Sequence, residues 1–388
     1  MSRQEVPITG AVLTWAREDA GLSREELARR VAVPVETVEG WETGSAQPTV
    51  GAFHRLSDVL RRPSAIFFLP APPGQTETTL RLRHSSGLRD HALTVEELRQ
   101  VRWARDLQGI VSWTLRDRGY AAVSLPEFAT SDSTSAASFA IRRMLGVSVE
   151  SQLSWKTTSD AFRMWRLALE DQGVLVLQLG LGKDGIRGFS FWDAFAPLIA
   201  VNSAYNPSAR VFTLFHELGH LVTRGDAACF SFFPVTEEHA DLERWCERFA
   251  AELLMPTDAV LREAGRMGYT VENSLTELEP IRRLANHFHV SVRAAVLRLQ
   301  ELRFSPSGTY QTVDTYLSEL DWNARSGGGH GMRAPEKRLG QLGERVPRLL
   351  LDAASRSRLT PKELSQYLRL TTGQVDDLRE FVRSQRGE

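Results

Sequence analysis

Cysteine is nearly absent from this chain. Cys229 and Cys246 are the only two in 388 residues. Two thiols do not build the disulfide framework of a small secreted scaffold. Neither sign of charge is in excess, with 47 Lys and Arg against 48 Asp and Glu. That balance excludes a strongly basic nucleic-acid coat, while leaving room for a small local DNA-binding module. No apolar run approaches the ~18–20 residues that a membrane span needs. Met1 to Gly10 is polar and mixed, unlike a signal peptide. The expectation is a cytoplasmic protein without a membrane partner. Its length suits two or three domains with real cores.

The most informative stretch is Phe212-Thr213-Leu214-Phe215-His216-Glu217-Leu218-Gly219-His220-Leu221-Val222. Read as a helix, it sends His216 and His220 from one face, because four residues make slightly more than one turn. This spacing lets two histidines bind one zinc ion, with Glu217 beside them to activate the metal-bound water. The bland reading is a pair of core histidines satisfied by backbone carbonyls. A catalytic zinc needs a third ligand. The stretch from Leu242 to Met255 reads as a second helix, stopped by Pro256, with Trp245, Phe249, Leu253 and Leu254 on its packed side. Glu243 and Glu247 share one face of it. One can bind zinc while the other accepts the second ring N–H of a histidine ligand. Glu243 is taken as the ligand and Glu247 as that acceptor, although spacing alone does not order them. His239 and Asp241 are weaker candidates, and the bland alternative pairs the glutamates with Arg244 and Arg248.

Three short strands are expected before this helix pair, at Val174–Leu177, Gly188–Trp192 and Ala196–Asn202. Upstream, a helix is expected from Val95 to Arg118, another from Ser135, as its cap, to Leu145, and a third from Asp160 to Gly173. Ala71 to Gln75 is a linker by composition. Beyond Pro256, two helical stretches flank a turn at His287–Ser291, with Ser291 as N-cap. They suggest a second helix-turn-helix-like unit, with His287 and His289 as surface or interface residues and not zinc ligands. Residues 326–333 are glycine-rich and read as a flexible loop. Thr360 and Glu363 form a capping box in a C-terminal helical group.

The first seventy residues read as short helices. Ser23 and Glu26 make a capping box for Arg24 to Val31. Pro34 opens Val35 to Thr43, Gly44 ends it, Pro48-Thr49 starts another helix and Pro63 a last one. Two short helices joined by a tight turn describe a helix-turn-helix. Leu22-Ser23-Arg24-Glu25-Glu26-Leu27-Ala28, Val38-x-x-Trp41-Glu42-x-Gly44 and Pro48-Thr49 resemble the helix-turn-helix domain of the Xre phage-repressor class. The resemblance implies that Val35 to Thr43 enters the major groove, with Val35, Glu36 and Thr37 at its leading end. Ser23 and Arg24 would then lie near phosphate or base edges. That helix carries Glu36, Glu39 and Glu42 and no basic residue. Phosphate attraction must come from Arg24, Arg29, Arg30, Arg55, Arg61 or Arg62. The other reading is a fold kept as a protein-interaction or dimer module.

Residues from about Trp165 to Leu302 resemble the ImmA/IrrE family of zinc metallopeptidases. The matching pieces are Gly188-Phe189-Ser190 with Pro197-x-Ile199-x-Val201-Asn202, Arg210-x-Phe212-Thr213-x-x-His216-Glu217-Leu218-Gly219-His220-Leu221, Phe249 to Pro256, and Val290-Ser291-x-x-Ala294-x-x-x-Arg298-Leu299. Where the family shows Ala then Asn or Asp before x-Phe-Ala, this chain has Cys246 and Glu247. The resemblance implies a gluzincin-like endopeptidase that cleaves a helix-turn-helix repressor and so derepresses genes. Tyr205, Arg210 and His239 are candidates to steady an oxyanion. A different class of function also fits, a non-catalytic DNA-binding regulator with a zincin-like sensor domain.

The expected fold is mainly α with a small β-sheet (α+β). Its segments are a helix-turn-helix bundle at 8–70, a helical connector at 71–150, a zincin-like peptidase domain at 151–305 and a C-terminal helical region at 306–388. Expected partners are zinc, a protein substrate and DNA, and a homodimer is compatible with DNA readers of this class.

Overall fold

The computed structural model describes residues 5–20, 22–60, 67–68, 81–83, 94–224, 237–270, 275–321, 333–356 and 358–384. The chain forms two compact units, Met1–Glu77 and Thr78–Glu388. Outside the described residues lie the linker at 71–75, Arg61, Arg62, Pro63, Cys229 and the glycine-rich residues 326–332.

The first unit holds α1 (Gly10–Asp19), α2 (Arg24–Val31), α3 (Val35–Thr43) and α4 (Val50–Leu60). Ser23 accepts from the Glu26 amide and Glu26 reaches back to the Ser23 amide, so the capping box forms as expected. Val12, Leu13, Leu27, Val31, Val38, Trp41, Phe53, Leu56 and Phe67 build its core.

The second unit begins with β1 (Arg81–Arg83) and α5 (Val95–Asp117), followed by α6 (Thr134–Leu145), α7 (Val149–Leu153) and α8 (Thr158–Asp171). Next come β2 (Leu175–Leu179), β3 (Gly188–Phe191) and β4 (Leu198–Asn202), then α9 (Pro207–Thr223), α10 (Glu237–Leu254) and α11 (Thr257–Arg266). The chain closes with α12 (Leu278–Phe288), α13 (Val292–Glu301), α14 (Thr309–Asp321), α15 (Ala334–Leu342), α16 (Arg345–Ser355), α17 (Pro361–Leu368) and α18 (Thr372–Ser384). The sheet order is β1-β3-β4-β2, with β2 parallel to β4 and the other pairs antiparallel.

Both faces of β2, β3 and β4 are covered, which is why these strands read as largely continuous apolar runs instead of alternating ones. The alternation reappears as a choice of core. Val176, Ile199 and Val201 join the core that holds α9 and α10. Leu175, Leu177, Phe189, Phe191, Leu198 and Ala200 join the opposite core with residues of α5, α16 and α17. The segment read as a connector is divided between these layers: Ala137 and Ile141 of α6 enter the first core, and Val101, Leu107 and Val111 of α5 the second. The C-terminal group supplies the rest of the second, including Leu342, Val346, Leu350 and Leu364.

Three local expectations change. Ser133, not Ser135, caps α6, because its hydroxyl accepts from the Ala136 amide while Ser135 already lies in the first turn. Thr157 caps α8, which therefore starts earlier than expected. His289 is buried, not at the surface: it closes α12 in the left-handed conformation, and its ring lies against Trp155. His287 does remain partly exposed, 3.5 Å from Glu263.

Candidate functional site

Asn206 caps α9 by accepting from the Ala209 amide, and Pro207 occupies its first turn. Both choices leave satisfied or absent the amides that a helix start would orphan. From Val211 to Thr223 every residue of α9 except Phe212 is buried. The helix packs on β3 and β4 on one side and on α10 on another.

Two glycines allow these approaches. A methyl at Gly188 of β3 would stand 2.6 Å from Thr213 Cγ2 and 3.4 Å from Glu217 Cγ. A methyl at Gly219 would stand 3.0 Å from Cys246 Sγ. Helix α10 is held in place by hydrogen bonds to residues upstream of β2. Trp245 Nε1 donates to the Asp132 carbonyl at 2.9 Å, Ser138 Oγ donates to the Phe249 carbonyl at 3.2 Å, and Arg142 Nη1 donates to the Leu253 carbonyl at 2.6 Å.

With both helices fixed, three side chains converge. His216 Nε2 and His220 Nε2 are 3.2 Å apart. Glu243 places Oε2 3.2 Å from His216 Nε2 and Oε1 3.3 Å from His220 Nε2. The histidines are buried, while Glu243 keeps 48% of its side chain exposed, so the cluster opens toward solvent on the α10 side. Among the described residues this is the group of His, Cys, Asp and Glu side chains able to hold a metal ion.

The donor set passes a chemical test for a cation. Two imidazole nitrogens and a carboxylate all offer electron pairs to the same small space. Zn–N bonds of about 2.0–2.1 Å in a tetrahedron imply ligand atoms about 3.3 Å apart. The 3.2 Å between the two histidine nitrogens matches that edge, and each nitrogen has one Glu243 oxygen at a similar distance, Oε2 at 3.2 Å and Oε1 at 3.3 Å. Glu247, one turn along α10, is exposed and lies outside the cluster. Asp241 pairs with Arg244 at 2.5 Å. The His239 side chain lies outside the described residues.

Two neighbours were not singled out in the sequence. Ser190 Oγ of β3 donates to Glu217 Oε2 at 2.9 Å, fixing the carboxylate beside the histidines. Cys246 Sγ lies 3.6 Å from His220 Nδ1, on the ring edge away from the cluster. The sequence held one hint of each: Ser190 sits within a matched motif, and Cys246 occupies a place where the resembled family has alanine.

Other matched residues serve the frame. Asn202 donates to the Gly182 and Ile186 carbonyls at 2.7 and 3.0 Å and accepts from the Leu181 amide at 3.2 Å, clasping the loop before β3. Glu252 pairs with Arg298 and accepts from Thr257 at the start of α11. Of the three oxyanion candidates, Tyr205 donates to the Gly185 carbonyl at 3.2 Å and Arg210 donates to Gln178, so these two are engaged in the frame.

In the first unit, the DNA-facing candidates divide. Glu36 is exposed, and Val35 and Thr37 are partly exposed, at the leading end of α3. Ser23 is engaged as the cap of α2. Arg55 Nε donates to the Val31 carbonyl at 2.9 Å. Arg24 Nε lies 2.6 Å from Glu42, whose side chain is 1% exposed and also pairs with Arg17 at 2.5 Å. Hydrogen bonding to Glu42, and then its charge, raise the Arg24 pKa. Glu42 is thus an internal counter-ion, which reduces the acid presented by α3 to Glu36 and Glu39.

A buried two-histidine helix with a facing glutamate, set against a small sheet, is the arrangement of a metallopeptidase-type domain. Residues 169–300 match the IrrE N-terminal-like domain, a peptidase family, and residues 9–65 match a helix-turn-helix domain family. The chain joins the two, which supports a DNA-binding regulator with a protease-like domain. No curated protein matches the chain. No described helix is long and apolar enough to cross a membrane.

Proposed function

We propose that this chain is a cytoplasmic zinc endopeptidase that cleaves a helix-turn-helix repressor, and so derepresses genes in a stress, phage or mobile-element response. The observation that carries the reading is the convergence of His216 Nε2, His220 Nε2 and Glu243 at mutual distances of 3.2–3.3 Å, with Glu217 adjacent to His216 in sequence. These three residues would hold the metal. Zinc, when bound, supplies the Lewis acidity that makes a water nucleophilic at neutral pH and polarises a peptide carbonyl. Glu217 takes the proton of the attacking water and returns it to the leaving amine. Ser190 holds one oxygen of that carboxylate and so orients the base. The first unit brings the peptidase to DNA or to a repressor of its own fold.

The test is zinc content and cleavage measured on the same preparations. Wild type is expected to hold about one zinc per chain and to cleave a repressor co-expressed with it. Glu217→Gln should keep the zinc and lose about 10²–10⁴-fold in cleavage rate. Undiminished cleavage by Glu217→Gln would sink this mechanism. Zinc without cleavage in the wild type would favour the non-catalytic regulator.

A further inference from the structure

We propose that residues 81–83 are a resident strand on the substrate-docking edge of β3, and that a protein substrate reaches the site only by displacing them. This inference rests on the peptidase reading above.

Strand β3 has two edges. One is taken by β4, from the pair Gly188↔Val201 to the pair Phe191↔Leu198. The other takes β1 in antiparallel register, with Arg81 opposite Ser190, Leu82 opposite Phe189 and Arg83 opposite Gly188. Ser190 and Gly188 are the β3 residues against Glu217: one hydrogen-bonds its carboxylate, and the other has room only for hydrogen where its Cγ approaches. A chain paired with these two positions therefore runs alongside the residue assigned as the base.

A peptide presented for attack must be extended and must lie beside that base. Addition of a strand to a sheet edge meets both needs through main-chain hydrogen bonds, with little demand on sequence. Without β1, the outer edge of β3 would be the sheet edge nearest Glu217 and open to such an addition. In this structure the chain's own residues hold it. The hold is short, three residues paired with three. A strand of that length contributes little net hydrogen-bond energy, so a longer substrate segment can replace it. The strand precedes α5 in the same compact unit as the metal cluster, and the occupation is intramolecular. The resting enzyme is then restrained by its own β1.

The experiment compares full-length, zinc-loaded wild type with Arg81→Pro/Leu82→Pro. Alternate amides of a strand face one neighbour, so two adjacent prolines remove whichever amide bonds β3. Equal zinc content shows that both proteins are folded at the cluster. Amide hydrogen exchange over residues 188–191 and hydrolysis of fluorescein-labelled casein are then measured. The variant should exchange about tenfold faster in this segment and cleave casein about tenfold faster, the effect of losing one or two net hydrogen bonds. Unchanged exchange would overturn the resident strand. Faster exchange with an unchanged cleavage rate, in proteins that do cleave, would overturn its role as a barrier. If neither protein cleaves although exchange rises, the peptidase reading fails, and the substrate-docking role fails with it, while the strand itself stands.

Discussion

Helices α3 and α9 both carry acidic residues inside short sequence motifs, and the fold treats those acids in opposite ways. In α3, Glu42 is almost fully buried between Arg17 and Arg24 of its own unit. Its charge is neutralised locally, and it ties α3 to α1 and to the start of α2. In α9, Glu217 is equally buried, but its carboxylate accepts from the neutral Ser190 hydroxyl, and the histidines on either side of it in the motif face the Glu243 carboxylate. A buried acid beside cations is a structural counter-ion; a buried cluster of electron-pair donors facing one another calls for a metal. The two helices also differ in what remains for a partner. Helix α3 keeps Glu36 exposed at its leading end, while α9 is buried from Val211 to Thr223 except at Phe212, and the exposed member of its cluster is Glu243 of α10.

The largest effect that sharpens this contrast should come from Glu42→Ala. Removing Glu42 takes away the buried partner of Arg17 and leaves it the exposed Glu18 carboxylate and the Leu22 carbonyl, and breaking such a buried pair costs about 3–5 kcal/mol. Hydrogen exchange across α1 to α4 should accelerate while residues 207–223 keep their protection. Unaltered exchange in α1 and α3 would refute the counter-ion role. Next comes the choice between the two glutamates of α10. Glu243→Ala should lower zinc affinity by more than the ~10–100-fold typical of an outer-shell partner, whereas Glu247→Ala should leave it unchanged. Competition with a chelator measures both, and the reverse ranking would exchange their roles. The smallest effect is expected from Ser190→Ala. Zinc should stay bound, and the cleavage rate should fall about tenfold, consistent with loss of one hydrogen bond to a charged group. Equal rates for Ser190→Ala and wild type would show that Glu217 is oriented by other groups.

Much of this was legible residue by residue. The capping boxes at Ser23 and Thr360 and the N-cap at Ser291 form as read, because a hydroxyl that accepts the third amide beyond it is a purely local event. Strands β2, β3 and β4 stand within two residues of their expected starts. The fourth strand was invisible, since three residues carry no period that could distinguish them from a loop. The cap of α6 was misplaced because several serines and threonines compete over a few positions, and only the hydroxyl geometry selects Ser133. The inward turn of His289 depends on a left-handed residue that the sequence did not announce.

The His-Glu-x-x-His spacing, the apolar face of α10 and the balance of charge were determined by the sequence itself, because helical period and composition are local properties. What tertiary structure decided was convergence. Glu243 and Glu247 differ by one turn of the same helix, and only the packing of α10 against α9, with Cys246 against Gly219, brings the first to the histidines and leaves the second exposed. Ser190 meets Glu217 because β3 crosses beside α9. These contacts join residues distant along the chain, and their distances are set by how layers pack, which no local spacing encodes.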